Sequence, residues 1–300
     1  MRTAILAVTD RSITRKLVMD TRAGRAVAER FVAGDTVESA IAAAVDLNEK
    51  GMSVSLDHLG EHVSAIGEAE RATQSYLDCI TAITDAGVDA NISVKLTQLG
   101  MGLDDDEAAA NLDKLASAAA GAETTVTVDM EESAFTETTI RIYEDAQKKH
   151  GNLGVAVQAY LFRSPEDINR IASFGGHIRL CKGAYAEPES LAYQSTADVD
   201  DAFDVLATTL MAVEGTRPAI ASHDDGRLAH AISAAEERDG PWEIQMLYGV
   251  RRDLQAQLVA EGNNVRVYVP YGEAWYPYLT RRLAERPANL TFFARALVGR

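Results

Sequence analysis

From about residue 51 the chain alternates short β-branched runs with longer stretches of helical period, and this rhythm constrains the fold more than any other feature. The runs are MSVSLD, ISVKL, TVTVD, VAVQAY, HIRLCK, PAIASH, EIQML and VRVYV, eight in all. Each has the length and residue types of a strand. Between them lie segments such as ESAFTETTIRIYEDAQKKHG, SPEDINRIASFGG and DDGRLAHAISAAEERDG, whose Ser or Asp starts and Gly ends are helix-cap chemistry. Strand then helix, eight times, predicts a parallel (βα)8 barrel of the TIM type. A doubly wound sheet alternates in the same way but carries a glycine-rich phosphate signature. Neither G-x-G-x-x-G after an early strand nor a P-loop is present.

Before residue 50 the segments TRKLVMDTRAGRAVAERF and, after Asp35 as N-cap, TVESAIAAAVDLNEKG read as helices. The expected organisation is an N-terminal helical segment over 1-50 and a catalytic barrel over 51-300, together one domain. With 300 residues and 47% hydrophobic content, the core needs no metal or disulfide to support it. Cys79 and Cys181 fit no zinc or redox spacing and point to a reducing compartment. The apolar run at the N-terminus is too short for a signal peptide, and no stretch approaches the ~18 apolar residues of a membrane span. The expected location is the cytoplasm.

A net charge of -16 repels a phosphate backbone and makes nucleic acid an unsuitable partner. The charge is uneven: residues 1-35 carry 7 basic and 4 acidic groups and residues 281-300 carry 5 and 1, around an acidic body.

Strand side chains alternate between faces, so one phase packs on the helices and the other points into the barrel. Val54 with Leu56, Val94 with Leu96, Val126 with Val128 and Ile244 with Met246 belong to the apolar phase. The opposite phase ends, strand by strand, in Asp57, Lys95, Asp129, Gln158, Arg179, His223, Gln245 and Tyr268. Barrel enzymes carry their chemistry at this rim, where a purely structural barrel would hold Val, Ile and Leu. Asp57 and Asp129 also have a plainer role open to them as caps of the next helix, and Gln158 and Gln245 as partners of loop backbone. An inward lysine needs a partner, and for Lys95 the candidate is Asp129 on the next strand. Arg179 and Lys182 in RLCKGAY set two cations on one rim, with Gly183 permitting close backbone approach; the set suits a phosphate or carboxylate. His58, His62, His150, His177 and His230 have no partner spacing and read as surface or packing residues, so no metal site follows from them.

The last segment, EAWYPYLTRRLAERP, should be helical over ~274-286, with Pro277 in its first turn and Pro287 as its stop. Trp275, Tyr278, Arg282 and Glu285 then share a face. Such a stripe is either core packing with solvated arginines or, through Arg281 and Arg282, a forked clamp on a carboxylate.

The series DHLGEHV, ISVKLTQLG, VDMEES, VQAYL, RLCKGAY, ASHD, EIQMLYGVRRDL and VYVPYGEAWYPYLTRRLAERPANLTFF, running in order from about Leu56 to Phe293, resembles the monofunctional bacterial proline dehydrogenases, which are FAD enzymes. The resemblance implies a distorted barrel with the final helix across its mouth and FAD at the C-terminal ends of the strands. By similarity, Lys95, Arg281 and Arg282 hold the substrate carboxylate, Asp129 orients Lys95, and Leu247 and Tyr268 wall the pocket; helical spacing along the final segment adds Tyr278 to that wall. The matching flavin positions are Gln158, Arg179, Lys182, Gly183, Ala184, His223 and Gln245, with Glu285 an acidic position of the final helix. Arg179 is assigned a catalytic part beside Lys95 and Asp129, stabilising the reduced flavin. The sequence departs at Ala186, where the large bifunctional members often carry tryptophan.

The activity so implied is oxidation of L-proline to pyrroline-5-carboxylate, the first step of proline degradation to glutamate, with electrons passing to a quinone. No aldehyde dehydrogenase domain or nicotinamide fingerprint is recognised, so a separate pyrroline-5-carboxylate dehydrogenase is the expected downstream partner. A quinone acceptor implies peripheral contact at the inner face of the cell membrane. The candidate surface is Arg295 beside Phe292 and Phe293, with the N-terminal arginines; packing of both phenylalanines on the barrel is the competing reading. Two other functions fit part of the pattern: a Schiff-base lyase or aldolase using Lys95, and a non-catalytic amino-acid-binding protein using the arginine pair.

Overall fold

The computed structural model describes residues 28–60 and 62–285, with side chains described as far as residue 280. Helix α1 (Val37–Glu49) precedes the strands β1 (Ser53–His58), β2 (Ala90–Val94), β3 (Val126–Val128), β4 (Leu153–Gln158), β5 (Gly176–Cys181), β6 (Thr216–Ala221), β7 (Glu243–Leu247) and β8 (Val265–Tyr271). A helix follows each strand in turn: α2 (Ile66–Ala86), α3 (Asp105–Gly121), α4 (Thr136–His150), α5 (Ser164–Ala172), α6 (Thr196–Ala212), α7 (Asp225–Ala234), α8 (Arg252–Ala260) and α9 (Trp275–Glu285). The strands pair in parallel in chain order, and β8 returns to β1, closing the barrel. All eight predicted runs are strands.

The first helix begins one residue later than expected. Thr36, not Asp35, is its N-cap: its extended backbone lets Oγ1 accept from the Ser39 amide while Ser39 Oγ accepts from the Thr36 amide, a reciprocal arrangement that satisfies two otherwise orphaned donors. Of the expected helix before it, residues 28–31 are helical; residues 14–27 lie outside the described residues.

The apolar phase of the strands packs outward on the helices. Val54, Leu56, Ile92, Val126, Val155 and Ile178 share one core with Tyr76, Leu112, Ile140, Tyr143, Phe203 and Leu206 from the helices, each such side chain stabilising the fold by ~1.5–3 kcal/mol on burial. The inward phase is polar well below the rim. Ser55 Oγ donates to Asn91 Oδ1 at 2.5 Å, Asn91 Nδ2 donates to Thr125 and Thr127, and Arg266 pairs with Glu243 at 2.8 Å while reaching the Val54 carbonyl. Buried polar groups cost free energy unless partnered, and here they partner one another across the barrel interior.

Helix α9 is held over the mouth by a second apolar cluster, in which Trp275, Tyr276, Tyr278 and Leu279 meet Phe31, Val32 and Leu59. The chain before α1 is tied to the same end, since Ala33 N–H donates to the Pro270 carbonyl and Gly272 N–H to that of Gly34, both at 2.9 Å.

Candidate active site

Every predicted site residue whose side chain is described lines one cavity of about 490 Å³ at the C-terminal ends of the strands. Lys95, Asp129, Arg179, Leu247, Tyr268 and Tyr278 surround it, and Gln158, Lys182, Gly183, Ala184, His223 and Gln245 complete its wall. Arg281, Arg282 and Glu285 follow on the last turns of α9; their side chains lie outside the described residues.

Lys95 is the centre of a buried charge cluster. Its Nζ lies 3.0 Å from Asp57 Oδ1, 3.4 Å from Asp129 Oδ2 and 3.4 Å from the Tyr268 hydroxyl, with 9% of the side chain exposed. Asp57 is thus the nearer partner, ahead of the predicted Asp129. It is no helix cap either, because α2 is capped at Ala65 without any side-chain bond. Asp57 is the functional group that sequence reasoning left undecided; its shared phase with Ser55 and Lys95 is the signal that identifies it. Asp129 likewise caps nothing. It receives the Tyr268 hydroxyl at 2.7 Å, the Ser93 hydroxyl at 2.8 Å and a guanidinium N–H of Arg179.

The two carboxylates are pushed apart. Burial, reinforced by the Asp129 charge, lifts Asp57 above the ordinary carboxylate range despite the Lys95 ammonium. Burial acts on Asp129 in the same sense, but the charges of Arg179 and then Lys95 outweigh it and hold that group low. Burial and the Asp129 charge push the Tyr268 phenol well up, keeping it a donor. Opposed shifts on neighbouring acids are an arrangement that separates proton-holding from charge-stabilising roles.

Arg179 stands over the Tyr268 ring, 5.2 Å from guanidinium carbon to centroid, and its Nε donates to Gln245 Oε1 at 2.5 Å. Its Nη2 is buried and has no hydrogen-bond partner among the described residues, so it is a donor suited to a ligand acceptor. Lys182, by contrast, is engaged by Asp200 and, at 3.0 Å, by Asp224. Gln158 bridges two rim loops, donating to the Glu131 carbonyl at 2.9 Å and accepting from the Ala184 amide at 3.3 Å. Gly183 has φ +120°, and a Cβ there would sit 2.3 Å from the Tyr160 ring, so the glycine is required by loop packing as well as by any ligand. His223 Nε2 accepts from the Leu247 amide at 2.9 Å, which leaves its ring hydrogen on Nδ1.

Of the histidines read as surface or packing residues, one packs in the interior and another meets carboxylates that its spacing does not show. His177 lies inside the barrel, where burial drives it down to about 3 and keeps it neutral. His62 comes together with Glu131 and Glu132, with ligand-type atoms within 4.8 Å of one another, although buried Glu131 is already bonded to the Thr97 amide and hydroxyl.

The cavity, the spare arginine donor and the polar rim fit an extended, partly anionic cofactor beside a small charged substrate. Fold and rim together define an α/β-barrel enzyme. The chain belongs to the proline dehydrogenase family: the model of the family described as Proline dehydrogenase matches residues 40–295. It is 38% identical to Proline dehydrogenase 2 of Bacillus subtilis (strain 168) over 271 residues, 89% of either chain. Its identity to Proline dehydrogenase of Deinococcus radiodurans is 34% over 310 residues, covering 99% of this chain and 97% of that one. Among solved structures, proline utilization A (PutA) from Bdellovibrio bacteriovorus, inactivated by N-propargylglycine, superposes with a TM-score of 0.82 at 26% identity. That match covers 87% of this chain and 33% of the other, so the chain spans about a third of that larger protein.

Proposed function

We propose that the chain oxidises L-proline to pyrroline-5-carboxylate with FAD held at the barrel mouth, within a single domain whose residues 1-50 are the helical approach and 51-300 the catalytic barrel. The observation that carries this reading is Lys95 set between Asp57 and Asp129 in the cavity that Arg179, Gln245 and Tyr268 also face. Proline is a zwitterion, and a water-poor pocket must neutralise its carboxylate. Lys95, Arg281 and Arg282 supply that charge. Asp129 holds Lys95 and Arg179 in place, and its low proton affinity keeps it an anion while both cations stay ordered. Leu247, Tyr268 and Tyr278 wall the ring. The reaction removes a hydride from the ring carbon beside nitrogen and a proton from nitrogen, leaving a cyclic imine. FAD, when bound, supplies the two-electron acceptor for that hydride. Arg179, Lys182, His223, Gln158 and the backbone at Gly183 and Ala184 are the residues that would hold it, with Gln245 behind Arg179 and Glu285 on α9.

Electrons then pass to a quinone, and the imine or its hydrolysed aldehyde goes to a separate dehydrogenase. Among the described residues no helix is long and apolar enough to cross a membrane, and contact with a quinone-bearing membrane is peripheral in this reading. Lys95 sits in ion pairs with two carboxylates, the opposite of the apolar setting that frees a nucleophilic lysine, which disfavours Schiff-base chemistry. The test is the absorbance spectrum of the purified protein: a yellow protein bleached by proline is expected. A colourless protein trapped by borohydride with a carbonyl compound would overturn the assignment.

A further inference from the structure

Arg179 can serve the site only if its guanidinium is aimed; Asp129 and Ser93 hold its Nη1 from the side, and its Nε is held from below. Its Nε donates to Gln245 Oε1 at 2.5 Å. A glutamine amide can turn over at little cost, and the turned amide would set an NH2 against the arginine. What fixes its sense lies deeper in the barrel. Gln245 Nε2 donates to Glu243 Oε1 at 2.6 Å, and its second hydrogen faces His177 Nε2 at 3.5 Å. His177 is neutral, and in the tautomer with its hydrogen on Nδ1 its Nε2 accepts from Gln245, a position it shares with the Thr127 hydroxyl at 3.5 Å. Glu243 is in turn held by Arg266 at 2.8 and 3.0 Å to its two oxygens. Burial alone would raise Glu243, but the charge of Arg266 overrides it and keeps the group an anion, an obligate acceptor.

We infer that Glu243, at the opposite end of β7 from the mouth, is a positioning residue that locks the amide of Gln245 and so aims Arg179 at the cofactor. The inference rests on the proposed placement of FAD beside Arg179. It also revises the sequence-based role of Gln245: the amide joins Glu243 to Arg179, acting on the flavin through the arginine.

The test is the two-electron midpoint potential of the flavin in purified holoenzyme, measured without proline for wild type, Glu243→Gln, Glu243→Leu/Arg266→Met and Arg179→Met. Glu243→Gln keeps the volume but offers an NH2 that competes with Gln245 for acceptors. The double variant removes acceptor and ion pair together and leaves no lone buried charge, which protects folding. A cation aimed at the cofactor stabilises the reduced, anionic form, so its loss lowers the potential. Arg179→Met is expected to shift the reduction equilibrium at least ~10-fold toward oxidised flavin, which is ~30 mV for two electrons. Both Glu243 variants should shift the same way by a large part of that. A merely structural role would change melting temperature and flavin content without moving the potential of the flavin that remains bound. An unmoved potential in both Glu243 variants beside a lowered one in Arg179→Met would overturn the positioning role and leave Arg179 at the flavin. An unmoved potential in Arg179→Met would overturn the placement of Arg179, and the inference with it.

Discussion

Replacing Lys95 by methionine tests the centre of the site. The side chain stays unbranched, becomes one heavy atom shorter and loses its charge, so the contacts to Asp57 at 3.0 Å, Asp129 at 3.4 Å and Tyr268 at 3.4 Å disappear together. Removing one member of a buried, hydrogen-bonded charge pair costs ~2–5 kcal/mol. At about 1.4 kcal/mol per tenfold, a loss of that size in the transition state lowers kcat/KM by between roughly 30-fold and several thousand-fold. The stranded carboxylates leave a second signature. Burial, with the Asp129 charge, already lifts Asp57 above the usual range, and Lys95 opposes that lift; without the ammonium the group rises further. An acid whose folded pKa exceeds its unfolded one binds more protons when folded. Its contribution to stability is fully present below the unfolded value of ~3.9 and is lost as pH rises through the folded value. Lys95→Met should therefore melt closer to wild type at pH ~5 than at pH ~8. Proline-dependent dye reduction, flavin absorbance for occupancy and melting at the two pH values measure all three effects. Turnover within about threefold of wild type at full flavin occupancy, with no pH-dependent gap in melting, would refute the reasoning.

Arg281→Lys keeps the charge but loses the planar two-point contact, so the KM for proline should rise; an unchanged KM together with unchanged inhibition by a carboxylate analogue would make Arg281 a solvated helix residue. Gly183→Ala places a methyl group 2.3 Å from the Tyr160 ring at φ +120° and should cost about 1–3 kcal/mol and loosen flavin retention; equal melting and equal flavin content would show that the loop accommodates it. Anionic vesicles should float the full chain at low salt and release it at high salt, and a folded chain ending at Pro287 should float less. Equal, salt-independent behaviour of the two would reject the C-terminal tail as the contact.

The sequence made the eight strands and their polar rim legible because period-two alternation survives in every run. It did not show which rim groups meet. Lys95 and Asp57 are 38 residues apart, and their contact arises from the stagger of β1 against β2, where Asp57 lies opposite Ser93. The polar barrel interior was missed for a related reason. His177 and Glu243 stand at the starts of their strands, where polar residues are usually solvated, and only closure of the barrel converts them into interior groups. The capping of α1 by Thr36 over Asp35 turned on the reciprocal bond with Ser39, a pattern that the usual Glu or Gln signal does not flag.

The seam between β1 and β8 governs when the active site can come into being. Six matched residue pairs join the two strands, and Arg266 reaches the Val54 carbonyl across 212 residues of chain. On a ribosome adding ~5–20 residues per second, β8 emerges on the order of 10–40 s after β1. Throughout that interval β1 has an open edge and Asp57 has no Tyr268 beside it. Contacts this remote in sequence form slowly even in the finished chain. Nascent or truncated molecules lacking β8 therefore present an unpaired strand and a half-built charge cluster, targets for chaperones and proteases rather than for substrate. Catalytic competence is acquired late, once the last strand docks against the first and α9, which follows it, packs over the mouth.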